Sequence, residues 1–453
     1  MIAYLMLRRL LRLAALTFFR RLQVVGQEHV PEAGPVMFCG NHPNALLDPV
    51  LITCFCGRVV RFATKDTLFD NWLLRPFLAI LGAVPVKRKQ DHAGVAVSNE
   101  EAFEKLFEAL AAGHAIGIFP EGISHDDSQL VRLKTGAARI AFGFQDRHPE
   151  KRVAVVPCGL NYVTPDRFRS SVLVQFGRAL TIDDALLEAY RSNRQQVVHA
   201  FTADLQARLR SLTVNAEDWE TIRVLDGVRR LYQPPRLPFE RRIELSRRFN
   251  ALYPEVKDEP VVRRLYARVR AYLDRLSAAG LTDRDLRRTM LRRETALRVV
   301  RHVMLVVVWL PLALLGAVVH LPVGLLLDIG DRLSPDRILR ATLKFSLGVA
   351  LLLAIYIAVP IAVGMSVGWA LGVSAVVLLP LSGYATLRVA ERAVALRQIV
   401  RAAIRGLTLT SEVRALQAER EALHVEIAQA IERYGPGDGA SRPETVPDGR
   451  PAT

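Results

Sequence analysis

From residue 23 to residue 185, short β-branched apolar runs alternate with stretches of helical periodicity. The runs fall at 36–39, 59–63, 83–86, 115–119, 153–156 and 172–176, and the helical stretches near 46–55, 71–81, 98–112, 134–144 and 183–192. Alternation of this kind predicts an α/β domain with a largely parallel sheet flanked by helices. Before it, residues 1–22 are apolar but carry Arg8, Arg9, Arg12, Arg20 and Arg21. Arginines inside an apolar stretch speak against a spanning helix and for an amphipathic helix lying in a membrane interface; an ordinary surface helix is the competing reading.

The pattern changes after residue 185. Residues 186–302 read as an Arg-rich helical connector, with breaks expected at Pro234-Pro235, Pro238 and Pro254. Two long apolar regions follow. Residues 303–327 carry no charge apart from a neutral His320, and 345–387 carry none. Both exceed an ordinary core helix, and the second has room for two passes of about 20 residues each. Residues 303–387 are therefore expected to be membrane-embedded. A charged helix is expected over 388–434, with an apolar stripe (Val413, Leu416, Leu423, Ile427, Ala430) interrupted by Arg420. This helix suits either a short coiled coil or packing on the catalytic domain. The Gly/Pro-rich residues 435–453 are expected to be disordered.

Arginines flank nearly every end of the apolar regions, so the positive-inside rule places all the charged segments on one side. That requires 303–327 to be re-entrant, bent at Pro311 and Pro322. A simple three-pass topology is the alternative. The chain has 453 residues, 51% of them apolar, and a formal charge of +16. Such basicity fits nucleic acid or anionic lipid. The charges gather beside apolar segments and no nucleic-acid-binding motif is present, so the membrane is the expected partner and nucleic acid is not. The four cysteines lie in or beside apolar runs without metal-ligand spacing and read as buried free thiols, with no metal site expected.

The candidate chemistry is concentrated in Gly40-Asn41-His42-Pro43-Asn44-Ala45-Leu46-Leu47-Asp48-Pro49. Imidazole titrates near neutrality and can take a proton from an alcohol, and a nearby carboxylate can orient it and support the imidazolium. Pro43 excludes a continuous helix, so the pair must meet across a turn. Three further segments follow in order: Gly82-Ala83-Val84-Pro85-Val86-Lys87-Arg88, Ile118-Phe119-Pro120-Glu121-Gly122, and Val155-Val156-Pro157-Cys158-Gly159. In this order and spacing they resemble the four sequence blocks of the glycerolipid acyltransferase family, the lysophosphatidic-acid and glycerol-3-phosphate acyltransferases. The resemblance covers roughly residues 22 to 185 and extends to Phe62-Ala63-Thr64-Lys65 and Leu133-Lys134-Thr135-Gly136-Ala137. Five residues separate His42 from Asp48, where the family pattern usually has four. This spacing resembles the branch that contains the fungal glycerol-3-phosphate and dihydroxyacetone-phosphate acyltransferases.

The resemblance implies an enzyme of phospholipid biosynthesis. A fatty acyl group would pass from a thioester, acyl-CoA or acyl carrier protein, to a phosphorylated glycerol, with no bound cofactor. His42 would be the base and Asp48 its support. No Gly-x-Ser-x-Gly elbow marks a covalent route. Asn41 or backbone N–H groups near Asn44 are candidate oxyanion donors. Arg88 is the best phosphate ligand, with Lys65, Lys87 and Lys134 secondary. The resemblance places Glu121 and Gly122 at the acceptor; a salt bridge from Glu121 to Lys134 or Arg139 is the alternative. His114 and His125 read as surface or loop residues. Four readings compete: acylation of glycerol-3-phosphate or dihydroxyacetone phosphate at sn-1, acylation of lysophosphatidic acid at sn-2, a lipid hydrolase, and a non-catalytic lipid-binding protein. The expected setting is a bacterial inner membrane, with the catalytic domain on the cytoplasmic face.

Overall fold

A computed structural model describes residues 1–435, apart from 73, 88–98, 235–236, 284, 287–291, 335–336 and 409. The candidate Arg88 and nearly all of the expected disordered tail therefore lie outside the described residues.

The N-terminal domain is α/β. Its strands are β1 (Arg21–Val25), β2 (Val36–Gly40), β3 (Val60–Lys65), β4 (Val84–Val86), β5 (Ala115–Ile118), β6 (Ala154–Tyr162), β7 (Ser171–Phe176) and β8 (Leu180–Thr181). They form one sheet in the order β1-β7-β6-β2-β5-β3-β4, with β8 on β6. β2 pairs in parallel with both β5 and β6, β3 with β5 and β4, and β1 with β7; the pairings of β6 with β7 and β8 are antiparallel. Every residue of β2 is buried, as expected for a central parallel strand covered on both faces. Helices α1 (Ile2–Phe18), α2 (Leu47–Phe55), α3 (Arg75–Ile80), α4 (Glu100–Ala111), α5 (Gly136–Arg147) and α6 (Asp184–Ser192) complete the domain.

Two elements differ from the sequence reading. The first helix stops at Phe18, and Arg21–Val25 pairs with β7 instead. Strand β6 runs six residues beyond its expected end, through Pro157 and Gly159 to Tyr162. Its register with β2 sets Gly40 beside Cys158. The last residues of β6 therefore project past the end of β2, over the loop that carries His42.

The connector comprises α7 (Arg194–Leu212), α8 (Trp219–Tyr232), α9 (Phe239–Val256) and α10 (Pro260–Ala278). Pro254 lies within the last turn of α9: it removes one N–H donor but leaves only two helical residues after it, and the helix runs through it to Val256. Three long helices follow: α11 (Arg292–Leu333), α12 (Arg337–Ser366) and α13 (Trp369–Thr408). Their segments Val299–Arg332, Leu339–Ser366 and Trp369–Arg401 are long and apolar enough to cross a membrane.

The last helix, α14 (Thr410–Tyr434), returns to the connector. Val413, Leu416, Leu423 and Ile427 share a core with Val224 and Leu231 of α8 and Val269 and Tyr272 of α10. Arg420, which interrupts the stripe in sequence, is buried there and donates to Asp283 at 2.8 Å. The expected charged helix 388–434 is thus split: 388–408 continues α13, with Glu391 touching the α/β domain, and Thr410–Tyr434 packs on the connector.

Contacts also tie both ends of α11 to one side of the molecule. Arg392 donates to His302 near its start at 3.0 Å, and Lys344 pairs with Asp331 near its end at 2.9 Å. The adjacent Glu391 and Lys344 itself both touch the α/β domain. A straight helix would hold positions 302 and 331 about 44 Å apart. Pro311 and Pro322 remove backbone donors within α11 and provide the place for a bend.

Candidate active site

The site sits where parallel strands β2 and β5 end side by side, the usual place for ligands in open α/β sheets. Beyond β2 the chain turns at Pro43 and enters α2 with Asp48 in the first helical turn, so residues 43–46 form the loop and Leu47 opens the helix. His42 Nδ1 lies 2.9 Å from Asp48 Oδ2. The same oxygen accepts from the Asn44 backbone N–H at 2.7 Å, and Oδ1 accepts from the Tyr162 hydroxyl at 2.6 Å. Asp48 has no exposed surface, while His42 retains 9%. A carboxylate wholly removed from water is tolerable only with such a set of donors. With Nδ1 turned to Asp48, Nε2 is the nitrogen left to meet a substrate.

The imidazole stacks on Phe119, ring centroids 4.0 Å apart and 5° from coplanar, and Phe119 stacks in turn on Phe62 at 5.5 Å. Glycines make room for this stack. A Cβ on Gly40 would meet Phe119 at 2.9 Å, and one on Gly117 would meet Phe62 at 2.3 Å.

Glu121, just past β5, is buried. Its Oε1 accepts from the His42 backbone N–H at 2.7 Å. Its Oε2 accepts from Val131 N–H at 3.2 Å and contacts His125 Nε2. The alternative reading of Glu121, a salt bridge to Lys134 or Arg139, is not what forms: its ion-pair partner is His125. His125 is thus part of the site and not a loop bystander. Burial pushes its pKa down, but the Glu121 hydrogen bond and charge, with Asp127 and Asp126, outweigh this and raise it above the ordinary histidine value. Gly122 has φ +75, and Lys134 lies over it: an added Cβ would stand 2.6 Å from Nζ. Lys134 is itself exposed at the rim.

The structure therefore brings His42, Asp48, Asn44, Glu121, Gly122 and Lys134 together. Asn41 is anchored to β6: its Nδ2 donates to the Leu160 carbonyl at 3.1 Å and its Oδ1 accepts from the Leu160 N–H at 2.7 Å. The Asn44 side chain likewise donates to the Pro165 carbonyl at 2.9 Å. Tyr162 was not anticipated. Burial and then the Asp48 charge push its phenol well above the usual range, so it remains a donor. All four cysteines are buried free thiols, and burial raises each of them.

Residues 21–161 match the Acyltransferase family. That span takes in most of the N-terminal α/β domain. Residues 224–332 match the "Glycerol-3-phosphate acyltransferase 2 C-terminal domain", which runs across the expected boundary between connector and apolar region. The chain is similar to two proteins of Saccharomyces cerevisiae. Glycerol-3-phosphate O-acyltransferase 2 is 35% identical over 204 residues, 45% of this chain and 28% of the relative. Glycerol-3-phosphate O-acyltransferase 1 is 36% identical over 186 residues, 40% of this chain and 24% of the relative. The chain thus spans about a quarter of the length of these curated relatives. The chloroplastic 1-acyl-sn-glycerol-3-phosphate acyltransferase LPAT1 of Arabidopsis thaliana is 27% identical, over 31% of this chain and 36% of the relative. Among solved structures, the 1-acyl-sn-glycerophosphate acyltransferase PlsC from Thermotoga maritima matches at TM-score 0.31 and 20% identity, covering 45% of this chain and 80% of that one. The five-residue spacing pointed to a likeness to fungal glycerol-3-phosphate acyltransferases, and both yeast relatives carry that name.

Proposed function

We propose that this protein is a membrane O-acyltransferase that moves a fatty acyl group from a thioester, acyl-CoA or acyl carrier protein, to the sn-1 hydroxyl of glycerol-3-phosphate. The observation that carries the proposal is the buried His42–Asp48 pair, 2.9 Å apart, in a domain similar to yeast glycerol-3-phosphate acyltransferases. His42 Nε2 takes the proton of the acceptor hydroxyl as its oxygen attacks the thioester carbonyl. Asp48 stabilises the imidazolium that forms. The tetrahedral intermediate then collapses, the C–S bond breaks, and the thiolate leaves with the proton held by His42. No acyl-enzyme is needed: the buried cysteines have raised pKa values and are poor nucleophiles.

The acceptor phosphate is assigned to Arg88 and Lys134, with Lys65 and Lys87 flanking. Glu121 and Gly122 form the edge on which the glycerol rests. Glu121 is already committed to His42 and His125, so it acts as much by holding the His42 backbone as by touching the acceptor. Dihydroxyacetone phosphate offers the same phosphate and hydroxyl and is the nearest alternative acceptor. Lysophosphatidic acid is the second reading, supported by weaker similarity to plastid and bacterial sn-2 enzymes.

The catalytic domain is placed on the cytoplasmic face, where anionic thioesters and phosphoglycerols are dissolved. Relatives occur in yeasts, plants and bacteria, so the proposal concerns the face and not one type of membrane.

The test offers glycerol-3-phosphate, dihydroxyacetone phosphate and lysophosphatidic acid in parallel to purified protein in mixed micelles, with labelled palmitoyl-CoA or palmitoyl acyl carrier protein. Monoacyl product from glycerol-3-phosphate supports the proposal. Phosphatidic acid formed only from lysophosphatidic acid moves the protein to the second acylation step.

A further inference from the structure

Among the described residues, only Ala45 (φ +33) and Arg169 (φ +62) hold left-handed backbone without being glycine. Such conformations persist only where the surroundings over-determine them. Ala45 lies inside the His42–Asp48 loop. Arg169 lies in the loop 163–170, whose Pro165 carbonyl accepts from Asn44 at 2.9 Å. The two strained positions thus sit in the two segments that wrap the candidate base and its carboxylate.

Both segments are gripped by helices that are long and apolar enough to cross a membrane. The N–H of Leu46, directly after Ala45, donates to Thr342 Oγ1 of α12 at 3.2 Å, a contact between residues 296 apart in sequence. Lys344, one turn-half further along α12, donates to the Asp166 carbonyl at 2.9 Å. Arg169 Nε donates to Glu391 of α13 at 2.7 Å, and both side chains are largely shielded from water. Ala341 and Phe345 of α12 are buried in the same apolar core as Leu47 and Leu51 of α2, and Phe345 meets Phe18 edge-on at 5.7 Å.

We propose that the α12–α13 hairpin is part of the catalytic apparatus: Thr342, Lys344 and Glu391 are positioning residues that hold the loops around His42 and Asp48. The proposal rests on the reading of His42 as the general base. It assigns to the apolar region a role beyond anchoring. Thr342 satisfies a backbone donor beside a strained residue, and Glu391 holds the second strained residue. Loss of either contact frees a loop, and the His42–Asp48 geometry loosens without a change in what binds the substrates.

The test uses full-length protein in mixed micelles, with activity expressed per folded molecule recovered from size exclusion. Thr342→Val keeps the shape of the side chain and removes the acceptor; Thr342→Ser keeps the acceptor. The expected result is a fall in kcat of about tenfold for Thr342→Val, with KM for both substrates within about twofold. Thr342→Ser should restore kcat to within about twofold of wild type. Glu391→Gln, on the other helix, should likewise lower kcat with little change in KM, and it serves if Thr342→Val does not fold. Ile357→Ala, an exposed position on α12, should leave activity unchanged. Wild-type kcat in both Thr342→Val and Glu391→Gln, beside an inactive His42→Ala, would overturn the proposal while leaving the base intact. An active His42→Ala would instead remove the reading on which it rests.

Discussion

Replacing Tyr162 by Phe removes one hydroxyl and leaves the ring. The hydroxyl donates to Asp48 Oδ1 at 2.6 Å, and Asp48 has no exposed surface, so water cannot take its place. A hydrogen bond to a charged acceptor is worth about 1.5–3 kcal/mol. If it were expressed fully in the transition state, the loss would be roughly 10- to 150-fold in rate. Tyr162 acts through Asp48 and not on the substrate, so the lower part of this range is expected, with KM little changed. Two controls make the reasoning sharp. In a His42→Ala background the same substitution should have almost no further effect, because its route to the reaction is gone. The wild-type to Tyr162→Phe rate ratio should also stay flat from about pH 6 to about pH 9, since the raised phenol remains protonated throughout. A kcat within about twofold of wild type would refute the role assigned to Tyr162. An equal loss in the His42→Ala background would show that the hydroxyl supports the fold and not the pair.

Other expectations are independent of this one. His125 gains a proton affinity in the fold, so its pairing with Glu121 stabilises fully below the unfolded value near pH 6.5 and is lost as pH rises through the higher folded value. Thermal melts of His125→Gln should therefore show a deficit on the order of 1 kcal/mol at about pH 6 that shrinks by about pH 8.5; an equal deficit at both would contradict the pairing. Gly122→Ala forces an L-residue into φ +75 and drives Lys134 Nζ off its position. It should cost about 1–2 kcal/mol and raise KM for the phosphorylated acceptor more than it lowers kcat. Membrane topology is open to a labelling test, because α14 packs on α8 and α10, which precede the apolar region. The expectation is that helices before and after that region lie on one side of the membrane, with an even number of complete crossings. Cysteines placed at Arg332 and at Glu150 of the α/β domain should be labelled from the same face of sealed vesicles, and one at Ser366 from the other. Labelling of position 332 opposite to 150 would show that α11 crosses and would contradict the re-entrant reading.

Much of the architecture was legible because strand ends and the candidate-site motifs coincide. His42 and Glu121 each follow an apolar run of period and length suited to a buried strand, and parallel pairing of those runs brings them together. Tyr162 was hidden because Pro157 and Gly159 read as the end of a strand. In the fold, the Pro157 carbonyl accepts from Gly177 at 2.8 Å and Gly159 makes room for the Leu212 backbone, where a Cβ would stand 2.6 Å away. Residues chosen for tertiary fit thus mimic local breakers. His125 escaped because its partner is set by a turn, not by a periodic pattern. Thr342 escaped because nothing local in an apolar helix signals a partner 296 residues away. Arg420 misled in the opposite direction: a charge within an apolar stripe is buried and paired with Asp283.

The central claim is that His42 transfers a proton from glycerol-3-phosphate during acyl transfer from a thioester. Its most direct test is monoacyl product formation from glycerol-3-phosphate and palmitoyl-CoA by wild type and His42→Ala, at matched folded protein and saturating substrates. The account predicts product with the wild type and a loss of at least about 100-fold in kcat with the variant. Product formation by His42→Ala at a rate within about tenfold of wild type would contradict it.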